Sequence, residues 1–151
     1  MEYLPISIRI SDARILIVGG GKVATHKAQI LHRFTDKATV IAKEISDEIK
    51  ALPFTTIERP FREKDLDGIN LLFVVTGDHE LNHRIKDLAS KRGILTSVCD
   101  DPAACDFISP AIYRQDNLTI AVGSDSRDVK RSIRVRNRIQ QAIENGELDI
   151  E

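Results

Sequence analysis

Cysteine is scarce in this chain, and so are aromatic side chains, long apolar runs and any surplus of charge. The two cysteines, Cys99 and Cys105, lie on either side of Asp-Asp-Pro without the paired C-x-x-C spacing of zinc or redox sites, so both are expected to be buried, reduced thiols. Aromatic residues are 5% of the 151 residues, too few for the stacking platforms of single-stranded nucleic-acid binders. Lysine and arginine (22) nearly balance aspartate and glutamate (23), so no overall field draws the chain to nucleic acid or to a membrane. No apolar run approaches the roughly 20 residues of a membrane span, and nothing resembles a secretory signal; a cytoplasmic protein is expected. The four histidines, His26, His32, His79 and His83, form no H-E-x-x-H set. His79 and His83, one helical turn apart, are read as solvated helix residues, and no metal site is expected.

The most informative stretch is Arg14 to Ala24, RILIVGGGKVA. A β-branched strand, Ile15 to Val18, runs into Gly19, Gly20 and Gly21, and a helix-forming segment follows at once. Gly19, Gly21 and Ala24 match G-x-G-x-x-A: a tight turn, a place for backbone to approach a pyrophosphate, and a close helix–strand contact. The start of the following helix, at Lys22 and Val23, offers unpaired N–H groups and a positive dipole end to such an anion. The acid expected about 20 residues on is absent from the end of the second strand, where Lys43 and Glu44 stand instead. Glu44 suits a ribose hydroxyl and Lys43 suits a 2′-phosphate, so NAD and NADP both stay open.

Strand-like runs alternate with helical ones, which predicts an α/β fold with a mostly parallel sheet covered on both faces. Strands are expected at Pro5 to Ile10, Ile15 to Val18, Ala38 to Ala42, Thr55 to Glu58, Leu71 to Val75 and Leu95 to Cys99. Helices are expected at Lys22 to Phe34, Glu44 to Leu52 and His79 to Arg92, the last capped by Asp78. Arg62 to Leu66 reads as one short turn. After Pro110 the character changes: a hairpin about Asp116-Asn117 joins Ile112–Gln115 to Leu118–Val122, and a helix runs from Arg127 to Asn145 until Gly146 stops it. On it Val129, Ile133, Ile139 and Ile143 form an apolar stripe opposite Arg127, Lys130, Arg131, Arg134 and Arg138. The expected division is 1–112, a dinucleotide-binding domain, and 113–151, a hairpin and helix too small to hold a core alone.

Ligands of open parallel sheets bind outside the carboxyl ends of the strands, which singles out Gly19 to Lys22, Lys43, Glu44, Thr76 to Asp78, Asp100 and Asp101. Asp100 follows the strand ending in Cys99, at the nicotinamide end of a cofactor lying across the sheet. Beside Val98 and Cys99 its carboxyl is expected to have a raised pKa and to exchange a proton with substrate. Asp101 is read as the cap of the Pro102 turn. Thr76 and Asn82 are either cofactor partners or ordinary loop and helix groups.

These segments carry a resemblance. MEYLPISI at 1–8, VGGGKVATHK at 18–27, TGDHELN at 76–82, SVCDDP at 97–102 and CDFISPAI at 105–112, followed by LTIAVGS, resemble the precorrin-2 dehydrogenase and sirohydrochlorin ferrochelatase family, the N-terminal module of siroheme synthase. The resemblance implies oxidation of precorrin-2 to sirohydrochlorin with NAD⁺, in many members followed by Fe²⁺ insertion. It also implies a homodimer built through the segment after Pro110, and an essential aspartate at Asp100. The implied substrate is a tetrapyrrole with eight carboxylates, for which Ser124, Arg127, Arg131 and Arg134 are candidate contacts; Ser124 aligns with a serine phosphorylated in some relatives. The chain departs from the pattern at Gly123 to Asp128, and it ends after one helix where longer relatives add a helical bundle. Both departures bear on metal insertion more than on oxidation. The rival reading is a non-catalytic NAD(H)-sensing Rossmann module, which leaves SVCDDP and CDFISP unexplained.

Overall fold

The computed structural model describes all 151 residues, in two compact units: Pro5–Phe107, and Met1–Leu4 with Ile108–Glu151. In the larger unit five short strands, β1 (Ile15–Val18), β2 (Thr39–Ala42), β3 (Thr55–Glu58), β4 (Leu71–Val74) and β5 (Leu95–Val98), form one parallel sheet in the order β3-β2-β1-β4-β5. The chain leaves β1 toward β2 and later crosses back to β4, so the strand order reverses between β1 and β4. A crevice opens there, at the carboxyl ends of both strands.

Alternation along β1 explains why this sheet is covered twice. Ile15 and Ile17 join Ala24, Ala28 and Leu31 of helix α1 (Lys22–His32), while Leu16 and Val18 join Ile85 and Ala89 of α3 (His79–Lys91) on the opposite face. All four β1 side chains are buried, the near-continuous apolar strand that parallel sheets require. Ala24 has no exposed surface, so the small residue of the glycine motif lets α1 press onto the sheet. Asp78 caps α3 by accepting from Leu81 N at 3.1 Å, as expected.

Two expectations change here. Residues 5–10 form no strand, because Pro5 lacks an N–H and no strand of the sheet pairs with the segment; Ile10 packs on the core while Ile6 and Ile8 stay exposed. The second helix shrinks to α2 (Asp47–Lys50), since Ser46 caps it by accepting from Ile49 N at 3.3 Å and Glu44 belongs to the preceding loop. The expected turn near Leu66 is a 3-10 helix, Glu63–Leu66, held by a two-pronged pair: Arg59 donates to both Asp65 oxygens at 2.6 and 2.9 Å. Arg62 N adds a third bond to Asp65 at 2.7 Å.

In the smaller unit, β6 (Ala111–Gln115) and β7 (Leu118–Val122) form an antiparallel hairpin whose turn residue Asp116 takes φ 52°, a conformation aspartate tolerates. Helix α4 (Val129–Glu144) packs on it, capped by Asp128, whose carboxylate accepts from Arg131 N at 2.8 Å. Gly146 at φ 73° ends it. The expected stripe is split: Ile139 and Ile143 are half-buried, but Val129 and Ile133 are 59% and 41% exposed. Ser132 and Arg136 take the inward places instead, Ser132 bonding Ser124 Oγ at 2.9 Å and Arg136 bonding Ile112 O at 2.9 Å. Arg127 precedes the helix, whereas Lys130, Arg131, Arg134 and Arg138 are exposed along it.

The Arg59–Asp65 pair yields a stability prediction. The guanidinium of Arg59 holds the Asp65 carboxyl below its ordinary range against the opposing effect of burial, and the Arg62 N–H helps. A carboxylate with a lowered folded pKa stabilises the protein above the unfolded value, about 3.9, and loses that contribution as pH falls through the folded value. Asp65→Asn is expected to cost about 1–2 kcal/mol at pH 7 in urea unfolding. The cost should shrink as pH falls below about 3.9 toward the folded value; a cost that stays the same at pH 7 and in acid would contradict this assignment.

Candidate functional site

Crowding dictates the glycines at the end of β1. Gly19 sits at φ 136°, and a Cβ on it would lie 2.4 Å from the Val75 carbonyl oxygen; one on Gly20 would lie 2.0 Å from the Glu44 oxygen. Gly20 therefore has a packing role that the motif did not assign to it. Gly21 is different: a Cβ there would meet nothing within 4 Å, so its backbone borders open space. Gly21 is also the N-cap of α1 and offers no side-chain cap, while Thr25 N makes the helix's first bond, to Gly21 O at 2.9 Å. The N–H groups of that first turn stay available to an anion.

Above this loop lies a cleft of about 630 Å³, within the usual range for small-ligand sites. Gly19, Gly20, Gly21, Lys22 and Val23 line it, with Lys43 and Glu44 on the β2 side and Thr76 and Cys99 on the β4 and β5 side. Ala24 supports the loop from the core. Open backbone at Gly21, an uncapped helix start and a cleft spanning both sides of β1 fit a dinucleotide. Pro60, Phe61, Leu81 and Arg84 also line the cleft and were not anticipated. The strand-end rule that singled out Lys43 applies equally to Pro60 and Phe61 after β3, and Arg84 lies one turn beyond Leu81 on α3.

Thr76 and Asn82 settle into a mutual clamp: the Thr76 hydroxyl donates to Asn82 Oδ1, and Asn82 Nδ2 donates to Thr76 O at 3.1 Å. Asn82 is wholly buried, which makes it the anchor of the β4–α3 loop while Thr76 keeps one side to the cleft. The loop after β5 is tied down as firmly. Cys105 Sγ donates to Val98 O at 3.2 Å, and Asp106 pairs with Thr96 through its main chain and its carboxylate at 2.8 and 3.0 Å. Asp101 caps the Pro102 turn through Ala103 N at 3.1 Å, as expected. Cys99 is exposed at the cleft and Cys105 is only half-buried, contrary to the expected pair of buried thiols, because the loop turns outward directly after Val98. Partial desolvation of its sulfur and the neighbouring Asp100 push the Cys99 thiol above its ordinary pKa.

Asp100 meets a histidine that the sequence reading left in solvent. His79 Nδ1 lies 2.8 Å from Asp100 Oδ2, and His83 Nε2 lies 3.1 Å from Asp101 Oδ2, with the two rings 4.4 Å apart. Burial pushes the Asp100 carboxyl up, but hydrogen bonds from His79 and Asn82 outweigh it, and the group sits below its ordinary value. This reverses the raised pKa expected from Val98 and Cys99 alone. The Asp100 hydrogen bond in turn raises His79 above its ordinary value, against a smaller effect of burial. Behind the loop, burial lowers the Lys27 ammonium, opposed by its proximity to Cys99 and Cys105.

Ser124, Arg127, Arg131 and Arg134 belong to the smaller unit. Ser124 Oγ accepts from Asp128 N at 3.2 Å and from Ser132 Oγ, and the three arginines are exposed. No cluster of His, Cys, Asp or Glu has the arrangement of a metal site, and no helix is long and apolar enough to cross a membrane.

A family model described as "Putative NAD(P)-binding" matches residues 6–111. The chain is 33% identical over 147 residues to a siroheme synthase of Photorhabdus laumondii subsp. laumondii, covering 95% of this chain and 31% of that protein. It is 34% identical over 142 residues to a siroheme synthase of Pseudomonas fluorescens, covering 90% and 31%. The chain thus spans about a third of the length of these curated relatives. A solved structure titled "SirC, precorrin-2 dehydrogenase" shares the fold with a TM-score of 0.80 at 20% identity, over 92% of this chain and 70% of that one. With well over half of its residues matched and with the glycine cradle in place, the chain belongs to the NAD(P)-binding family, and it is similar along nearly its whole length to a segment of the siroheme synthases.

Proposed function

We propose that this chain oxidises precorrin-2 to sirohydrochlorin with NAD⁺. The observation that carries the reading is a dinucleotide cleft bordered on its β5 side by a fixed loop that places an ionised carboxylate, Asp100, directly after the cleft-lining Cys99. The names of the siroheme synthases and of the structural neighbour supply the substrate class. Gly21, Lys22 and Val23 would hold the pyrophosphate, Lys43 and Glu44 the adenosine ribose, and Thr76 the nicotinamide half. When bound, the oxidised nicotinamide supplies a hydride acceptor. The macrocycle loses two electrons and two hydrogens, one as that hydride and one as a proton, and Asp100 is assigned to receive the proton. The exposed Arg127, Arg131 and Arg134, with Ser124, are assigned to the substrate carboxylates through charge-assisted hydrogen bonds. Insertion of Fe²⁺ into the product is a separate reaction, read by metal uptake into sirohydrochlorin against the protein-free rate.

We also propose a homodimer. Val129 and Ile133 are exposed neighbours on α4, one turn apart, and an apolar pair on a small unit is best covered by a second copy.

Gly21→Asp places a side chain and a negative charge where the pyrophosphate approaches, and the Cβ it adds meets no protein atom within 4 Å. It is expected to weaken NAD⁺ binding at least about 100-fold by calorimetry, with the melting temperature nearly unchanged. Unaltered affinity would remove the cofactor assignment. Asp100→Ala is expected to bind NAD⁺ normally but to form NADH and sirohydrochlorin on the order of 100-fold more slowly from precorrin-2; wild-type rates would remove Asp100 from the chemistry. In sedimentation at micromolar concentration the wild type should run as two chains and Val129→Glu/Ile133→Glu as one. A monomeric wild type would refute the dimer.

A further inference from the structure

The base of the proposed oxidation faces a difficulty. Asp100 is held ionised by its hydrogen bonds, and a carboxylate held ionised binds a new proton weakly. A proton delivered to it returns to substrate unless a group of near-neutral affinity draws it off. His79 stands in that place, with Nδ1 2.8 Å from Asp100 Oδ2. Its side chain is 66% exposed, so the ring joins the carboxylate to bulk water. We propose that Asp100 and His79 act as a dyad, in which Asp100 takes the proton from the macrocycle and His79 relays it to solvent. This inference rests on the dehydrogenase reading above.

The relay conserves protons at every step. With Asp100 ionised, Nδ1–H donates to Oδ2. Once Asp100 is protonated the exposed ring exchanges with water to its Nε2–H tautomer, Nδ1 accepts the carboxyl proton, and the imidazolium gives its Nε2 proton to water, which restores the carboxylate and the starting tautomer. The hydride of the same turnover goes to the oxidised nicotinamide, so nothing further is required. The fold holds the ring for this role. His79 is the first residue of α3, its neighbour Asp78 is fixed as the cap, and the His83 ring lies 4.4 Å away at 59°, restricting rotation. Asp100 and Asp101 face His79 from the loop after β5, and Asp78 faces it from the cap; all three favour the cation. The positive end of α3 opposes it, and His83, paired with Asp101, is the remaining titratable neighbour. Lys27 and Cys99 face each other at the root of the same loop.

Protonated His79 cannot accept, so oxidation should fall as pH drops through the imidazole's titration, which lies above the ordinary value of about 6.5. His79→Asn keeps a donor near the Nδ1 position and preserves the placement of Asp100, but it breaks the relay. The experiment measures kcat against pH for wild type, His79→Asn and the distant control His32→Gln, with NAD⁺ affinity by calorimetry. In parallel, NMR follows the His79 ring titration in wild type and in Asp100→Asn without cofactor. The dyad predicts a wild-type limb that coincides with the His79 midpoint, and a midpoint that falls in Asp100→Asn. It also predicts on the order of a 100-fold loss of kcat with no limb near neutrality in His79→Asn, NAD⁺ affinity being unchanged. A wild-type profile and rate in His79→Asn would overturn the relay and leave the dehydrogenase standing. If the wild type binds NAD⁺ yet turns over no precorrin-2 at any pH, the dehydrogenase reading falls and the relay with it.

Discussion

Backbone crowding where β1, β2 and β4 end is the constraint on which the rest of the protein depends. The Glu44 and Val75 carbonyls press on Gly20 and Gly19 so closely that neither position admits a Cβ. The same junction is stitched by bonds from Gly19 N to Ile41 O, Ser46 N to Gly20 O and Val75 N to Val18 O, at 3.0, 2.9 and 2.8 Å. Three strand ends are thereby drawn to one point, and α1 starts there with its N–H groups uncapped and Gly21 facing open space. The packing thus leaves a helix start open to an anion without any basic side chain having to build it.

The proposed chemistry sits at the end of β5, where the loop is held by small, local bonds. Cys105, Asp101 and Asp106 each satisfy backbone groups between Thr96 and Asp106, and Lys86 pairs with Asp106 at 2.7 Å. These ties fix Asp100 against the start of α3, so a carboxylate and an imidazole meet at hydrogen-bond distance. Neither the charge of Asp100 nor the proton affinity of His79 is a property of the residue alone; each is set by the other across two elements.

The glycine loop, the five parallel strands, the cap at Asp78 and the stop at Gly146 were legible because each rests on a local rule: strand alternation, φ above zero, or a side chain reaching its own helix start. What escaped was non-local. The strand expected at Pro5 to Ile10 has the right alternation but no partner in the sheet. The stripe on α4 has the right composition, yet the hairpin contacts Ser132 and Arg136 and leaves Val129 and Ile133 outside. His79 is solvated as expected, but its bond to Asp100 was not foreseen, because that partner lies 21 residues away, beyond any helical period.

By itself, then, the sequence determined the α/β class, the position of the anion-binding turn and Asp100 as the residue to watch, since periodicity and steric limits on glycine act within a few residues. Only the tertiary structure decided the protonation balance at Asp100, the exposure of Cys99, the packing role of Gly20 and the cleft walls at Phe61 and Arg84. Desolvation, ion pairing and close packing arise between segments distant in the chain, and their strength depends on distances that exist only after folding.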